Sequence, residues 1–171
     1  MQMFLVALLF LFSTYTRAAD ETDYAMTLKA QGYKYCNSAI NKAANWLVDQ
    51  DAGTVAQWKE GDADRHMGVL IATRRYANGN TLLHLSAMRA SDGGCDVSFS
   101  LVVPVEKSCT GLRETTFRDW KFFGDVQGIP LYDDPTTNSI SVALQPIGTM
   151  CIVNKMGMLF YGKDELTVSK Q

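Results

Sequence analysis

The sequence predicts an α+β fold, an N-terminal helix packed on an antiparallel β-meander in a single disulfide-stabilised domain. Three observations predict it. Residues 36–48 carry one apolar stripe at helical period. The stretch from Val69 to Val103 reads as two consecutive β-hairpins. Four cysteines, Cys36, Cys95, Cys109 and Cys151, form an even set in a chain that opens with an export signal.

That signal is MQMFLVALLFLFSTYTRAA, residues 1–19, an apolar run ending in small residues. The run is short for a bilayer span, and no basic residue precedes its apolar core. Thr16-Arg17-Ala18 suits cleavage, so the mature chain is expected to begin near Ala19 or Asp20 and to form one domain over 20–171. Losing Arg17 takes the 16 basic residues to 15 against 18 acidic ones, a mature net charge of about −3. That balance argues against nucleic acid as a partner. No second long apolar segment follows, so no transmembrane anchor is expected after cleavage. Export, to a periplasm or beyond, makes disulfides the default state of the four cysteines.

Taken in order, residues 24–30 suit a short helical turn. In the helix of 36–48, Cys36, Ala39, Ile40, Ala43, Ala44, Leu47 and Val48 share one face, and two alanines at its middle allow close approach to a sheet. Thr54-Val55-Ala56-Gln57 reads as a capping box opening a short helix. Asn78-Gly79 suits a type I′ turn, and Asp92-Gly93 the centre of a second. These turns pair Ile71 with Ser86, Thr73 with His84 and Arg89 with Asp96. They gather Val69, Ile71, Leu82, Met88, Cys95, Val97, Phe99, Leu101 and Val103 on one inner face, with His84 and Ser86 among them. Leu112 to Phe123 suits a helix or a strand, and residues 124–138 read as a loop. Ile140, Val142 and Leu144 alternate in a strand that turns at Gln145–Gly148. A return strand brings Cys151 to the inner side, and residues 158–161 make a last short strand. A helix stripe and a sheet face that each need a cover are expected to meet. Cys36 and Cys95 lie on those surfaces, which favours Cys36–Cys95 with Cys109–Cys151.

No motif for catalysis accompanies this frame. His84 and Ser86, two apart on one strand face, form a candidate nucleophile–base pair, but no Gly-x-Ser-x-Gly elbow surrounds the serine. If extended, Asp62, Asp64 and His66 point to one side and can offer a metal two oxygens and a nitrogen, though Arg65 interrupts the run. Asp125, Asp133 and Asp134 can offer carboxylates to a cation or act as a carboxylate pair, but Asp133-Asp134-Pro135 reads more simply as turn chemistry. Trp46, Trp58 and Trp120 are the candidate binding residues, with Trp46 off the helical stripe. The expected function is therefore an exported, non-enzymatic binding protein acting through a protein–protein interface, as an inhibitor, an immunity-type protein or an accessory factor. It needs no cofactor. The alternatives are a small secreted hydrolase using His84 or the Asp62/Asp64/His66 group, and a small-ligand carrier with its pocket between helix and sheet.

Overall fold

A computed structural model describes residues 23–48, 52–76, 79–137 and 139–166. The expected signal peptide and mature start lie outside the described residues, as do Ala77 and Asn78 of the first turn.

One antiparallel sheet of eight strands runs through the molecule. In chain order they are β1 (Gly53–Gln57), β2 (Gly68–Tyr76), β3 (Gly79–Arg89), β4 (Cys95–Val105), β5 (Lys121–Val126), β6 (Ile129–Asp133), β7 (Ile140–Ile147) and β8 (Met150–Tyr161). Their spatial order is β1-β2-β3-β4-β8-β7-β6-β5. Two four-stranded meanders are thus joined by the pairing of β4 with β8. The helices are short: α1 (Met26–Ala30), α2 (Asn37–Leu47), α3 (Cys109–Glu114) and α4 (Lys163–Leu166), with a 3-10 turn at Ala63–Arg65.

This overturns the expected α+β class with one N-terminal helix on a meander. The sheet is the bulk of the protein, and three stretches read otherwise from sequence belong to it. Residues 54–57, expected to be helical, form β1, because β-branched Thr54 and Val55 pair along β2 opposite Ala72 and Ile71. The expected loop after 124 holds the β5–β6 hairpin, turned at Gln127 and Gly128 with φ of 53° and 84°. Both residues at the centre of a type I′ turn need positive φ, and Asp125 caps the turn by accepting from the Gly128 N–H at 2.7 Å. The ambiguous 112–123 segment divides: its first residues complete α3 and its last begin β5. β7 continues through Pro146 to Ile147, so the last turn falls at Gly148, and the two expected return strands are one strand, β8.

The registers explain which faces are buried. β2 and β3 pair Ile71 with His84 and Thr73 with Leu82, two residues from the expected pairing, which leaves each side chain on its expected side. In the second hairpin the slip is one residue: Arg89 faces Cys95 and Met88 faces Asp96. The Ala90 N–H donates to the Gly94 carbonyl at 3.0 Å, enclosing Ser91, Asp92 and Gly93 in a three-residue loop. Gly93 takes φ +86°, and Asp92 accepts from the Gly94 N–H at 2.8 Å. A three-residue loop in place of two exchanges the faces of β3 relative to β4. Leu70, Ala72, Leu83, Leu85 and Ala87 are therefore buried with Cys95, Val97 and Phe99. Val69, Ile71, Leu82, His84, Ser86 and Met88, expected inside, stand on the other face.

Among the described residues, helices cover the first face only. α1 and α2 lie over β1 to β4, and α2 buries Ala39, Ile40, Ala43 and Ala44. α3 lies over β7 and β8, where Leu112 and Phe117 meet Val142, Leu144 and Val153. Trp120 packs against both clusters. Cys36 bonds to Cys95 and Cys109 to Cys151, the pairing expected from the facing surfaces. The Tyr33 ring lies on Gly68, where a Cβ would approach it to 2.6 Å, and the Tyr33 hydroxyl donates to the Ala87 carbonyl at 2.6 Å.

Two predictions follow from this packing. Burial pushes the Tyr33 phenol from its ordinary 10.0 up to about 12; the Asp64 charge adds to the rise, and a backbone hydrogen bond at Gly68 opposes it. A folded-state pKa above the unfolded one gives stability that is intact below pH 10 and is lost as pH climbs from 10 toward about 12. Tyr33→Phe should reduce that alkaline slope, read by urea unfolding at stepped pH, and should cost about 1–2 kcal/mol at neutral pH. Replacing Cys36 and Cys95 together by Ala opens a separation of 59 residues and should cost about 2–5 kcal/mol in denaturant unfolding.

Candidate functional site

The uncovered face of the sheet is the candidate site, and the strand alternation builds it. Even-numbered residues of β8, from Ile152 to Phe160, stand beside the even-numbered residues of β4 and β3. One row runs Val55, Ile71, His84, Ser100, Met156, Ser141, Asp133 and Lys121 across all eight strands. The row beside it runs Gln57, Val69, Ser86, Ser98 and Met158, and beyond that Met88, Asp96 and Phe160. Among the described residues nothing covers this face: Val55, Leu82, His84, Met158, Met88 (54%) and Phe160 (63%) are all exposed.

Its polar groups largely satisfy one another. Ser86 and Ser98 share a hydrogen bond between hydroxyls at 2.7 Å. Ser100 donates to Asn154 Oδ1 at 2.8 Å, and Ser141 donates to Asp133 Oδ1 at 2.6 Å. Hydroxyls that already hold internal partners can be covered by apolar surface without leaving orphaned groups. The flanking Met88, Met156 and Met158 are unbranched and polarizable, side chains that adapt to the shape placed on them.

His84 and Ser86 share this face, not the interior expected for them, and His84 stands opposite Ile71 and Ser100. Among the described residues no hydrogen bond joins His84 to Ser86, whose hydroxyl is engaged with Ser98. Asp62, Asp64 and His66 are not an extended run, because the 3-10 turn intervenes. Asp64 Oδ1 accepts the backbone N–H groups of Lys34 and Tyr35 at 2.6 and 2.8 Å, fastening the turn to the segment before α2. Asp62 Oδ2 lies 3.9 Å from His66 Nε2 and 4.0 Å from Arg65. Among the described residues no three His, Cys, Asp or Glu side chains converge as metal ligands.

The three tryptophans do not form one surface. Trp58 is half-buried against the first core, and Trp120 sits edge-on to Phe117 at 5.2 Å. Trp46 is 53% exposed, meets Phe99 edge-on at 5.8 Å and carries Lys155 Nζ 4.5 Å from its ring centroid. It stands on the clad side of the sheet. Sequence reasoning missed Met158 and Phe160 because residues 150–161 were divided into two strands. Read as one strand, their alternation with Leu159 and Tyr161 places them together.

No protein-family model, no curated protein and no solved structure matches this chain. What the fold and the face define is a class: an antiparallel sheet clad with helices on one side, stapled by two disulfides and open on the other side. Among the described residues no helix is long and apolar enough to cross a membrane.

His84 and His66 are both exposed, and substitutions at such positions fall within about 0.5 kcal/mol. His84→Ala and His66→Ala should therefore leave the urea midpoint nearly unchanged.

Proposed function

We propose that the protein is an exported, non-enzymatic binding protein and that the open sheet face docks a partner protein. The observation that carries this reading is the run of exposed side chains on the uncovered face, Val55, Leu82, Met88, Met158 and Phe160. From β1 to β8 it crosses four strand spacings, about 19 Å, and eight residues along β8 add about 27 Å. Exposed apolar side chains gathered on one face in this way mark interaction sites. An open sheet face several strands wide suits a macromolecule, whereas small ligands are held in concave sites. Two disulfides fit an oxidising compartment. Inhibitor, immunity-type and accessory roles all use such surface complementarity.

The test is capture with the oxidised protein from its own source, run beside Phe160→Glu and Met88→Glu. Both positions are exposed, so both variants should fold with unchanged circular dichroism. The expected result is one stoichiometric partner, retained by the wild type and weakened at least tenfold by either variant. A partner held equally by the variants would move the interface elsewhere. Sedimentation showing a dimer that both variants disperse would assign the face to a second copy of the chain.

A further inference from the structure

A second feature, on the clad side of the sheet, is independent of the protein-docking reading. A cleft of about 430 Å³ opens where α2 ends, over β3 and β4. Leu47 and Val48 form one wall, and Leu101, Val103, Pro104 and Val105 form the floor. Tyr76 and Thr81 contribute the polar side chains of an otherwise apolar lining. The volume is within the range of small-molecule sites.

A cation stands on the strand beside its Leu101 end, outside the residues that line it. Leu101 is the register partner of Lys155 across β4 and β8, so the two side chains stand side by side on the same face. Trp46, next to Leu47, holds the Lys155 ammonium over its ring. Asp134 is the carboxylate facing Lys155 among the described residues. It does not reach ion-pair distance, and one of its oxygens accepts both the backbone N–H and the hydroxyl of Thr136, at 2.8 and 2.6 Å. Burial holds the lysine below its usual range despite Asp134. A half-buried ammonium with its acid turned to another partner favours an incoming anion.

We propose that this cleft binds a free medium-chain carboxylate, its alkyl tail along Leu101, Val103 and Leu47 and its head on the Lys155 ammonium. An apolar groove with a cation on the neighbouring strand, beside its Leu101 end, is complementary to an amphiphilic anion. A neutral or cationic chain of equal length lacks that head-group contact.

Calorimetric titration of the oxidised protein with sodium decanoate below its micellar concentration tests this, with decanol and decyltrimethylammonium as matched probes. Saturable, one-to-one decanoate binding is expected, at least tenfold tighter than decanol and tighter still than the cation. Lys155→Met should weaken decanoate about tenfold and leave decanol unchanged, which also reports that the variant is folded. Val103→Trp, filling the floor, should abolish both. The proposal is overturned by absence of saturable decanoate binding, by equal affinity for decanoate and decanol, or by binding that survives Val103→Trp. Binding seen with anionic phospholipid vesicles but not with decanoate would likewise overturn it in favour of a membrane surface.

Discussion

The pairing of β4 with β8 is the constraint on which the rest of the molecule depends. Among the described residues it is the one pairing between strands that do not follow each other in the chain, and it engages β4 along its whole length, from Cys95 opposite Tyr161 to Val105 opposite Cys151. Without it the chain would be two four-stranded meanders, each with two unpaired edges. The two disulfides sit at opposite ends of this ladder: one fastens the start of α2 to Cys95, the other the start of α3 to Cys151. Each staple thus fixes a helical cover to one of the two central strands. Gly157 completes the join. A Cβ there would collide with the Ser139 carbonyl and press on the Phe99 ring, so glycine lets β7 and Phe99 close over the middle of β8.

Because both covers are anchored on one side, the other side of the same strands is left to solvent. The polarity of that side is set by a local event, the three-residue loop between β3 and β4. Had the loop held two residues, β3 would have turned His84, Ser86 and Met88 toward the helices and Leu83 and Leu85 toward water. The observed loop gives the helices an unbroken aliphatic floor. It leaves on the open side a mixed surface in which hydroxyls are paired with one another. Ser86 with Ser98 and Ser100 with Asn154 are cross-strand pairs of the kind that stabilise a sheet from within.

Much of this was legible in the residues, and the failures have physical causes. The α2 stripe of Ala39, Ile40, Ala43 and Ala44, the alternation of Ile140, Val142 and Leu144, and the disulfide pairing all follow from periodicity and facing surfaces. The register of the second hairpin does not, because Ser-Asp-Gly-Gly accommodates two loop lengths and the choice depends on which glycine takes positive φ. The second glycine was the available signal, along with the improbable company of His84 and Ser86 on an inner face. β1 was lost because Thr54 to Gln57 satisfies a helix-start pattern locally, while its strand state comes from pairing with β2. The open face was legible only in part: its exposed methionines and Phe160 become one surface once β8 is known to be a single strand beside β4.

An open face with exposed methionines and Phe160 raises the question of why these sheets do not stack or extend edge to edge. The two edges answer differently. β5 carries a bulge between Phe122 and Gly124, with Lys121 and Asp125 flanking it, and a kinked, charged strand is a poor template for another chain. β1 has neither charge nor bulge and is protected by its shortness. Face-to-face stacking is opposed by the row His84, Ser100, Ser141, Asp133 and Lys121, which places charged and polar groups across the mixed surface. A second sheet laid flat on that row would have to strip water from Lys121, Asp133 and His84 together. A partner that leaves this row wet and seats on the flanking methionines and Phe160 would not. The polar row therefore discriminates among covers: it disfavours indiscriminate burial and would admit only a surface shaped to go around it.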